Sequence, residues 1–228
     1  MNLKVSCIIP AYNEGKRIKK IISTVEKHPE INEVVVVNDG SADNTLAEIN
    51  SIKSKKIKVV DSKINEGKTL SIFKGIKKSK NSIILLVDSD LLNLNAANIT
   101  DLITPVKQGK CDISIASPLK NSYKIFYWIG IDIFSGQRCF RKDIFKDLYS
   151  MKKLEKYSLE VVQNEMIIRK NLRVNVVPWL NVSNTLKPEK HGLIKGKWED
   201  LKMSWQIVKS VGIFKLALQS RKLLRSGK

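Results

Sequence analysis

The sequence predicts an α/β domain with a mixed, mainly parallel sheet flanked by helices, followed by a basic helical extension. Two observations predict the α/β sheet. Short apolar runs alternate with segments whose apolar residues recur at helical spacing, which is the pattern of a parallel sheet with crossover helices. Polar clusters follow several runs directly: "PAYNEG" after the first, "NDGS" after the second and "DSD" after the fourth. Ligands of such sheets bind beyond the carboxyl ends of the strands. Clusters gathered on one rim therefore point to binding or catalysis more than to a structural role.

In chain order, "VSCIIP" (5–10) is a buried strand, and Ile18, Ile21, Ile22 and Val25 mark the first helix. "EVVVVND" (33–39) is a β-branched strand, after which Ser41 or Asp43 can cap a helix. "KIKVVDS" (56–62) is a third strand, with Leu70, Phe73 and Ile76 on the helix behind it. "SIILLVD" (82–88) is the fourth and "DISIAS" (112–117) the fifth. "SGQRCFRKDIF" (135–145) reads as a strand leading into a helix. Leu159, Val162, Met166 and Ile167 outline a further helix, and "RVNVVPW" (173–179) a short strand. Residues 1–185 form the expected main domain, divided into a ligand-binding half over 1–118 and a second half over 119–185, with the extension over 186–228.

Composition narrows the function. A chain of 228 residues with 43% hydrophobic content can bury a substantial core. Cys7, Cys111 and Cys139 are scattered at no metal-binding spacing, and there are two histidines, which disfavours a disulfide framework or a zinc site. The formal charge is +19, and residues 141–228 carry 20 of the 41 basic but 8 of the 22 acidic side chains. Such charge suits anionic partners, and equally a solvated lysine-rich surface. The amino-terminal apolar stretch is too short for a signal peptide. The longest apolar run, "IFYWIGIDIF" (125–134), is about half a membrane span and contains Asp132. A soluble or peripheral protein is expected.

The sharpest motif is "IILLVDSDLLNL" (83–94). If the strand continues, alternation places Asp88 and Asp90 on one side. Two carboxylates at the end of a buried strand are costly unless a cation or donor compensates. A divalent ion does so, since Mg²⁺ and Mn²⁺ take oxygen ligands and Mg²⁺ is typically held by one or two carboxylates plus substrate phosphates. Asp39 ends another buried strand, and Gly40 permits the turn after it. In "INEGKTL", Gly67 allows close backbone approach and Lys68 opens a helix, an arrangement that can hold an anion.

Taken in order, "VSCIIPAYNEGKRI", "EVVVVNDGSADNT", "NEGKTLSIFKGI" and "ILLVDSDL" resemble the nucleotide-sugar-dependent inverting glycosyltransferases of family 2, which have the GT-A fold. The resemblance is close over residues 3–92. "SGQRCFRKDIF" and "YSLEVVQNEMIIRKNLRVNVVPW" resemble the dolichyl-phosphate mannose synthase and polyprenyl-phosphate glycosyltransferase branch, to about residue 180. The resemblance implies that Pro10, Ala11, Tyr12 and Glu14 line the nucleobase and ribose pocket, with Asp39 on base or ribose. Lys68 and Ser89 would lie near the donor, Asp88 by ribose or metal, and Asp90 on the Mg²⁺ or Mn²⁺ that bridges a UDP- or GDP-linked diphosphate. Arg138 and Arg141 would contact donor or acceptor phosphate, and His191 would be a further metal ligand unless it is an exposed loop residue. The acid pair in which the family often places its general base is absent; Glu160 falls nearest, then Glu165. Asp90, Arg138 and Glu160 are thus the expected catalytic residues.

The acceptor follows from the nucleophile. A sugar hydroxyl needs a base, whereas an ionised phosphate needs only cations to position it. The missing acid pair and the arginines favour a polyprenyl- or dolichyl-phosphate-like acceptor; a hydroxyl of a glycan or glycolipid is the alternative. In the extension, Trp198, Leu201, Trp205 and Val208 share a helical face with lysines around them. This suits an anionic membrane surface on the cytoplasmic side, or a cap on the sheet. A nucleic-acid-binding protein is the rival class; 7% aromatic content and three carboxylate-bearing loops argue against it.

Overall fold

A computed structural model describes residues 3–117, 135–146 and 159–184. His191 and the basic segment 186–228 lie outside the described residues, as does the apolar run 125–134. The elements are β1 (Val5–Ala11), α1 (Ile18–Glu26), β2 (Ile31–Asp39), α2 (Thr45–Asn50), β3 (Ile57–Ser62), α3 (Lys68–Lys78), β4 (Ile83–Leu86) and β5 (Leu91–Leu92). They continue with α4 (Ala96–Lys107), β6 (Ile113–Ser117), β7 (Arg138–Arg141), α5 (Leu159–Arg169), β8 (Val174–Pro178) and β9 (Ser183–Asn184).

Seven strands form one sheet in the order β3-β2-β1-β4-β7-β6-β8. All neighbours are parallel except that β7 runs antiparallel to both β4 and β6. The expected mixed, mainly parallel sheet is therefore present. The chain winds outward from β1 to β3 and resumes at β4 on the other side of β1. That reversal opens a crevice beyond the carboxyl ends of β1 and β4, where such sheets bind ligands.

Strand alternation sorts the core into two layers. On β1, Val5, Cys7, Ile9 and Ala11 face a layer built with Ile18, Ile21, Ile22 and Val25 of α1 and Ile99, Leu102, Ile103 and Val106 of α4. Ile8 faces the opposite layer with Ile72 and Ile76 of α3 and Met166 and Ile167 of α5. Both faces of the sheet are covered, which is why β1, β2 and β4 read as continuous apolar runs.

Two local expectations need correction, and one helix was not expected. α2 starts at Thr45, and Ser41 does not cap it: the Ser41 hydroxyl accepts from Asn13 N, tying the first loop to the second. Asp43 does serve the helix start, accepting from Thr45 N at 2.9 Å. Residues 142–145 form turns rather than the first turn of an α-helix, with Ile144 N donating to Arg141 O, a three-residue closure. α4 was not expected, although Ile99, Leu102, Ile103 and Val106 have helical spacing and Asn95 and Asn98 form a reciprocal capping box.

Candidate active site

The rim loops are stitched together by their own polar groups. Glu14 N donates to Thr45 Oγ1 at 2.8 Å, and Gly15 N to Asp43 Oδ2 at 3.1 Å. Burial works against the Asp43 charge, but the Thr45 and Gly15 donors outweigh it and hold the carboxyl below its usual range. Asp39 is buried, and its two oxygens accept from Glu66 N at 3.0 Å and Gly67 N at 2.9 Å. Gly40 is required here: it has φ +67°, and a Cβ would fall 2.4 Å from the Ile64 carbonyl carbon. Of the residues expected around a nucleobase, Pro10, Ala11 and Glu14 are buried, Glu14 against Arg17. Tyr12 offers an exposed ring at the crevice edge.

The charged centre lies beyond β4. The strand ends at Leu86, where its pairing with Ile8 of β1 and Arg138 of β7 runs out, and residues 89 and 90 form a turn. Asp88 and Asp90 thus do not share a side by strand alternation, as the sequence suggested. They come together through the turn, each close enough to Lys68 to favour its charge. Both oxygens of Asp88 are engaged: Oδ1 lies 2.8 Å from Lys68 Nζ, and Oδ2 accepts from Gln137 Nε2 at 2.8 Å. Lys68 Nζ also lies 3.6 Å from Glu160 Oε1 of α5. Ser89, between the aspartates, is buried.

Desolvation opposes the Lys68 charge, but Asp88 and Glu160 outweigh it and hold the ammonium well above the usual lysine range. The Asp88 carboxyl is raised, first by burial and then by the Asp90 charge, although Lys68 opposes the shift. Lys68 therefore faces three carboxylates, Asp88, Glu160 and Asp90, and the buried Arg138 lies near Glu160.

A hydrogen-bonded chain supports this centre. Ser135 Oγ donates to Gln137 Oε1 at 2.6 Å, while Arg138 donates from Nε to Ser135 O at 2.8 Å and from its terminal nitrogen to Asn164 Oδ1 at 2.8 Å. Asn164 and Glu160 are four apart on α5 and so share a face. Arg138 is fully buried, and burial pulls its pKa down to about 10 against the favourable Glu160 charge. Gly136 makes the approach possible, because a Cβ there would fall 2.8 Å from Lys68 Nζ and 3.1 Å from Asp88 Oδ2.

Of the expected site residues, Lys68, Asp88, Asp90, Arg138 and Glu160 converge, and Arg141 does not. The antiparallel register pairs Arg138 with Leu86 and Arg141 with Ile83. Arg141 therefore lies at the opposite end of the strand, roughly 10 Å from the rim, where it pairs with Asp143. Arg138 is enclosed between β7 and α5, so it supports the rim from beneath rather than presenting a free fork to it. Sequence reasoning missed Ser135, Gly136, Gln137 and Asn164. The "SGQR" and "QNE" segments contain them, but which side chains reach Asp88 depends on packing.

The donor set fits Mg²⁺ or Mn²⁺, since hard carboxylate oxygens stand at a partly open rim. Asp88 is engaged by Lys68 and Gln137, and Asp90 stands in the adjacent turn as a second carboxylate for such an ion. Among the described residues no group of three His, Cys, Asp or Glu side chains forms a self-contained cage. The remaining ligands would come from a diphosphate and water.

Comparison with known proteins places this geometry. A dolichol-phosphate mannosyltransferase of Pyrococcus furiosus is 31% identical over 129 residues, covering 55% of this chain and 36% of that protein. A poly-β-1,6-N-acetyl-D-glucosamine synthase of Staphylococcus epidermidis is 33% identical over 89 residues, covering 38% of this chain and 21% of that one. The matched segments thus span about a third or less of these relatives. Glucosyl-3-phosphoglycerate synthase of Mycobacterium tuberculosis, solved with Mn²⁺, UDP and phosphoglyceric acid, shares the fold with a TM-score of 0.71 at 16% identity, over 94% of this chain and 78% of that one. The model of glycosyl transferase family 2 matches residues 6–225, and the chain belongs to that family.

Proposed function

We propose that the chain transfers a sugar from a nucleotide-sugar donor to a polyprenyl- or dolichyl-phosphate-like acceptor, with inversion at the anomeric carbon. The observation that carries the donor half is the Asp88–Lys68–Glu160 cluster beyond β4, with Asp90 in the adjacent turn. In the transfer, a bond forms between an acceptor oxygen and the anomeric carbon while the bond to the diphosphate breaks. Mg²⁺ or Mn²⁺, when bound, neutralises charge on the leaving diphosphate. Asp90 would hold that ion, Lys68 would meet the diphosphate, and Tyr12 and Asp39 would receive the nucleobase and ribose of a UDP- or GDP-linked donor.

A lipid-phosphate acceptor is supported by the archaeal relative, which is a dolichol-phosphate mannosyltransferase. The basic charge of residues 141–228 would suit an anionic membrane surface on its cytoplasmic side. No helix among the described residues is long and apolar enough to cross a membrane.

A second reading, a sugar hydroxyl acceptor, is favoured by Glu160. Its carboxylate stands at the rim, where a general base would serve, and the polysaccharide synthase relative fits the same reading. The Glu160→Gln variant separates the two. Against a short polyprenyl phosphate it should retain appreciable transfer, because an ionised phosphate needs no deprotonation. Against a sugar acceptor, loss of the base should cost about 10²–10⁴-fold. If Glu160→Gln abolishes transfer to polyprenyl phosphate, the lipid-phosphate reading is wrong. The donor half is tested by thermal stabilisation with UDP and GDP in Mn²⁺; no stabilisation by either would reject it.

A further inference from the structure

The lysine at the centre of the rim stands where a cation is required. Lys68 Nζ is 2.8 Å from Asp88 Oδ1 and 3.6 Å from Glu160 Oε1, with Asp90 close enough to favour its charge. Its backbone is fixed at the first residue of α3, where Gly67 is anchored by Asp39 and Ser71 N closes on Gly67 O. The side chain is 45% exposed, so the head can leave while the helix stays. A lysine suits such a role, being a compact charge on a flexible stem, whereas an arginine fork would lock onto one carboxylate. Gly136 leaves the space that the ammonium occupies.

We propose that Lys68 is a resident counter-cation of the carboxylate rim, displaced from Asp88 when a divalent ion and a nucleoside diphosphate enter together. The inference rests on the glycosyltransferase reading and deepens it. Without ligand, the ammonium offsets repulsion among Asp88, Asp90 and Glu160. An ion arriving alone meets that ammonium and is repelled. An ion arriving with a diphosphate brings the anion that draws Lys68 away from Asp88 and gives its charge a new partner. Lys68 thereby makes metal binding conditional on nucleotide. A lysine that merely touched phosphate would strengthen nucleotide binding without suppressing binding of the metal alone.

The magnitude follows from Coulomb's law. A monovalent and a divalent cation about 5 Å apart repel enough, even at water's dielectric constant, to weaken metal binding about fifteenfold.

Mn²⁺ binding without nucleotide, followed by electron paramagnetic resonance, tests the proposal in wild type, Lys68→Met and Lys68→Arg. Lys68→Met should bind Mn²⁺ at least about tenfold more tightly than wild type, and Lys68→Arg should stay as weak as wild type. Adding Asp90→Asn to Lys68→Met should remove the gain. Equal Mn²⁺ affinity in wild type and Lys68→Met overturns the proposal, as does equal tightening in both variants. Should Lys68→Met fail to fold, Lys68→Gln gives the same reading. Calorimetry of wild type with UDP and GDP in Mn²⁺ keeps the two levels apart. If neither nucleotide binds, the glycosyltransferase reading fails. If one binds and Lys68→Met gains no Mn²⁺ affinity, only the counter-cation inference fails.

Discussion

Replacing Gly136 with alanine tests whether the rim depends on one missing methyl group. The backbone of Gly136 lies outside the left-handed region, so alanine can adopt it. The new Cβ would fall 2.8 Å from Lys68 Nζ, 3.1 Å from Asp88 Oδ2 and 3.3 Å from Asp88 Oδ1. Ordinary contact needs about 3.5 Å or more, so the ammonium must retreat by more than half an ångström. Its retreat into solvent is cheap. With the lysine 45% exposed, the ion pair contributes at most about 1 kcal/mol to folding. Melting should therefore fall by only about 2–4 °C. The contact that the alanine breaks is the one that a diphosphate and its ion would displace, so nucleotide in Mn²⁺ should bind no more weakly than in wild type, and Mn²⁺ alone should bind more tightly. Because the ammonium retreats by only about half to one ångström, the gain in Mn²⁺ affinity should be about twofold. Gly67→Ala is the contrast: φ is +94° with no atom within 4 Å of the added Cβ. It should cost about 1–2 kcal/mol of backbone strain, read as a fall of roughly 2–8 °C in melting temperature. Calorimetry and thermal melts of both variants decide the matter. If Gly136→Ala melts as low as Gly67→Ala yet binds Mn²⁺ as wild type does, the glycine serves the fold and not the rim.

Other consequences follow from particular contacts. Glu33 is buried and accepts from Ser6 Oγ at 2.6 Å and Lys80 N at 2.8 Å, and it also pairs with Lys58. Burial opposes its charge, but Lys58, Ser6 and Lys80 outweigh that and depress the carboxyl. Its stabilisation is therefore present above the unfolded carboxylate pKa, about 4.3, and is lost as pH falls through the lower folded value. Glu33→Gln should cost about 1.5–3 kcal/mol at pH 7 and flatten the acid limb of stability against pH; an unchanged limb in denaturant titrations would refute this. Arg138→Met should destabilise by about 3 kcal/mol or more, because Asn164 Oδ1 and Ser135 O lose their buried donor; a near-normal unfolding midpoint would contradict the supporting role. Asp90→Asn should remove most of the Mn²⁺-linked part of nucleotide affinity, and calorimetry showing full metal linkage in that variant would remove Asp90 from the metal.

Much of this protein was legible in its residues. β1, β2 and β4 are buried on both faces, so local composition alone announced them, and the polar residues directly after them fell on the carboxyl rim. Asp88 could be placed because a strand's end is a one-dimensional fact. Lys68 was a site candidate because a glycine precedes it at the opening of a helix, whereas Glu160 was one only through the family resemblance, as the carboxylate nearest the missing acid pair. The positions that went wrong depend on direction and contact across the chain. Arg138 and Arg141 look equivalent in "QRCFR", yet β7 runs antiparallel, so one end of a four-residue strand meets the rim and the other leaves it. Gln137 reaches Asp88 across 49 positions of sequence, and Arg138 reaches Asn164 across 26. The sequence by itself determined most of the strands and helices and which end of the sheet carries chemistry, because hydrophobic periodicity and turn residues act over a few neighbours. Only the tertiary structure decided the partner of each charge, because a buried ion's partner is set by which distant elements pack together, and strand order and register are not written in any local stretch.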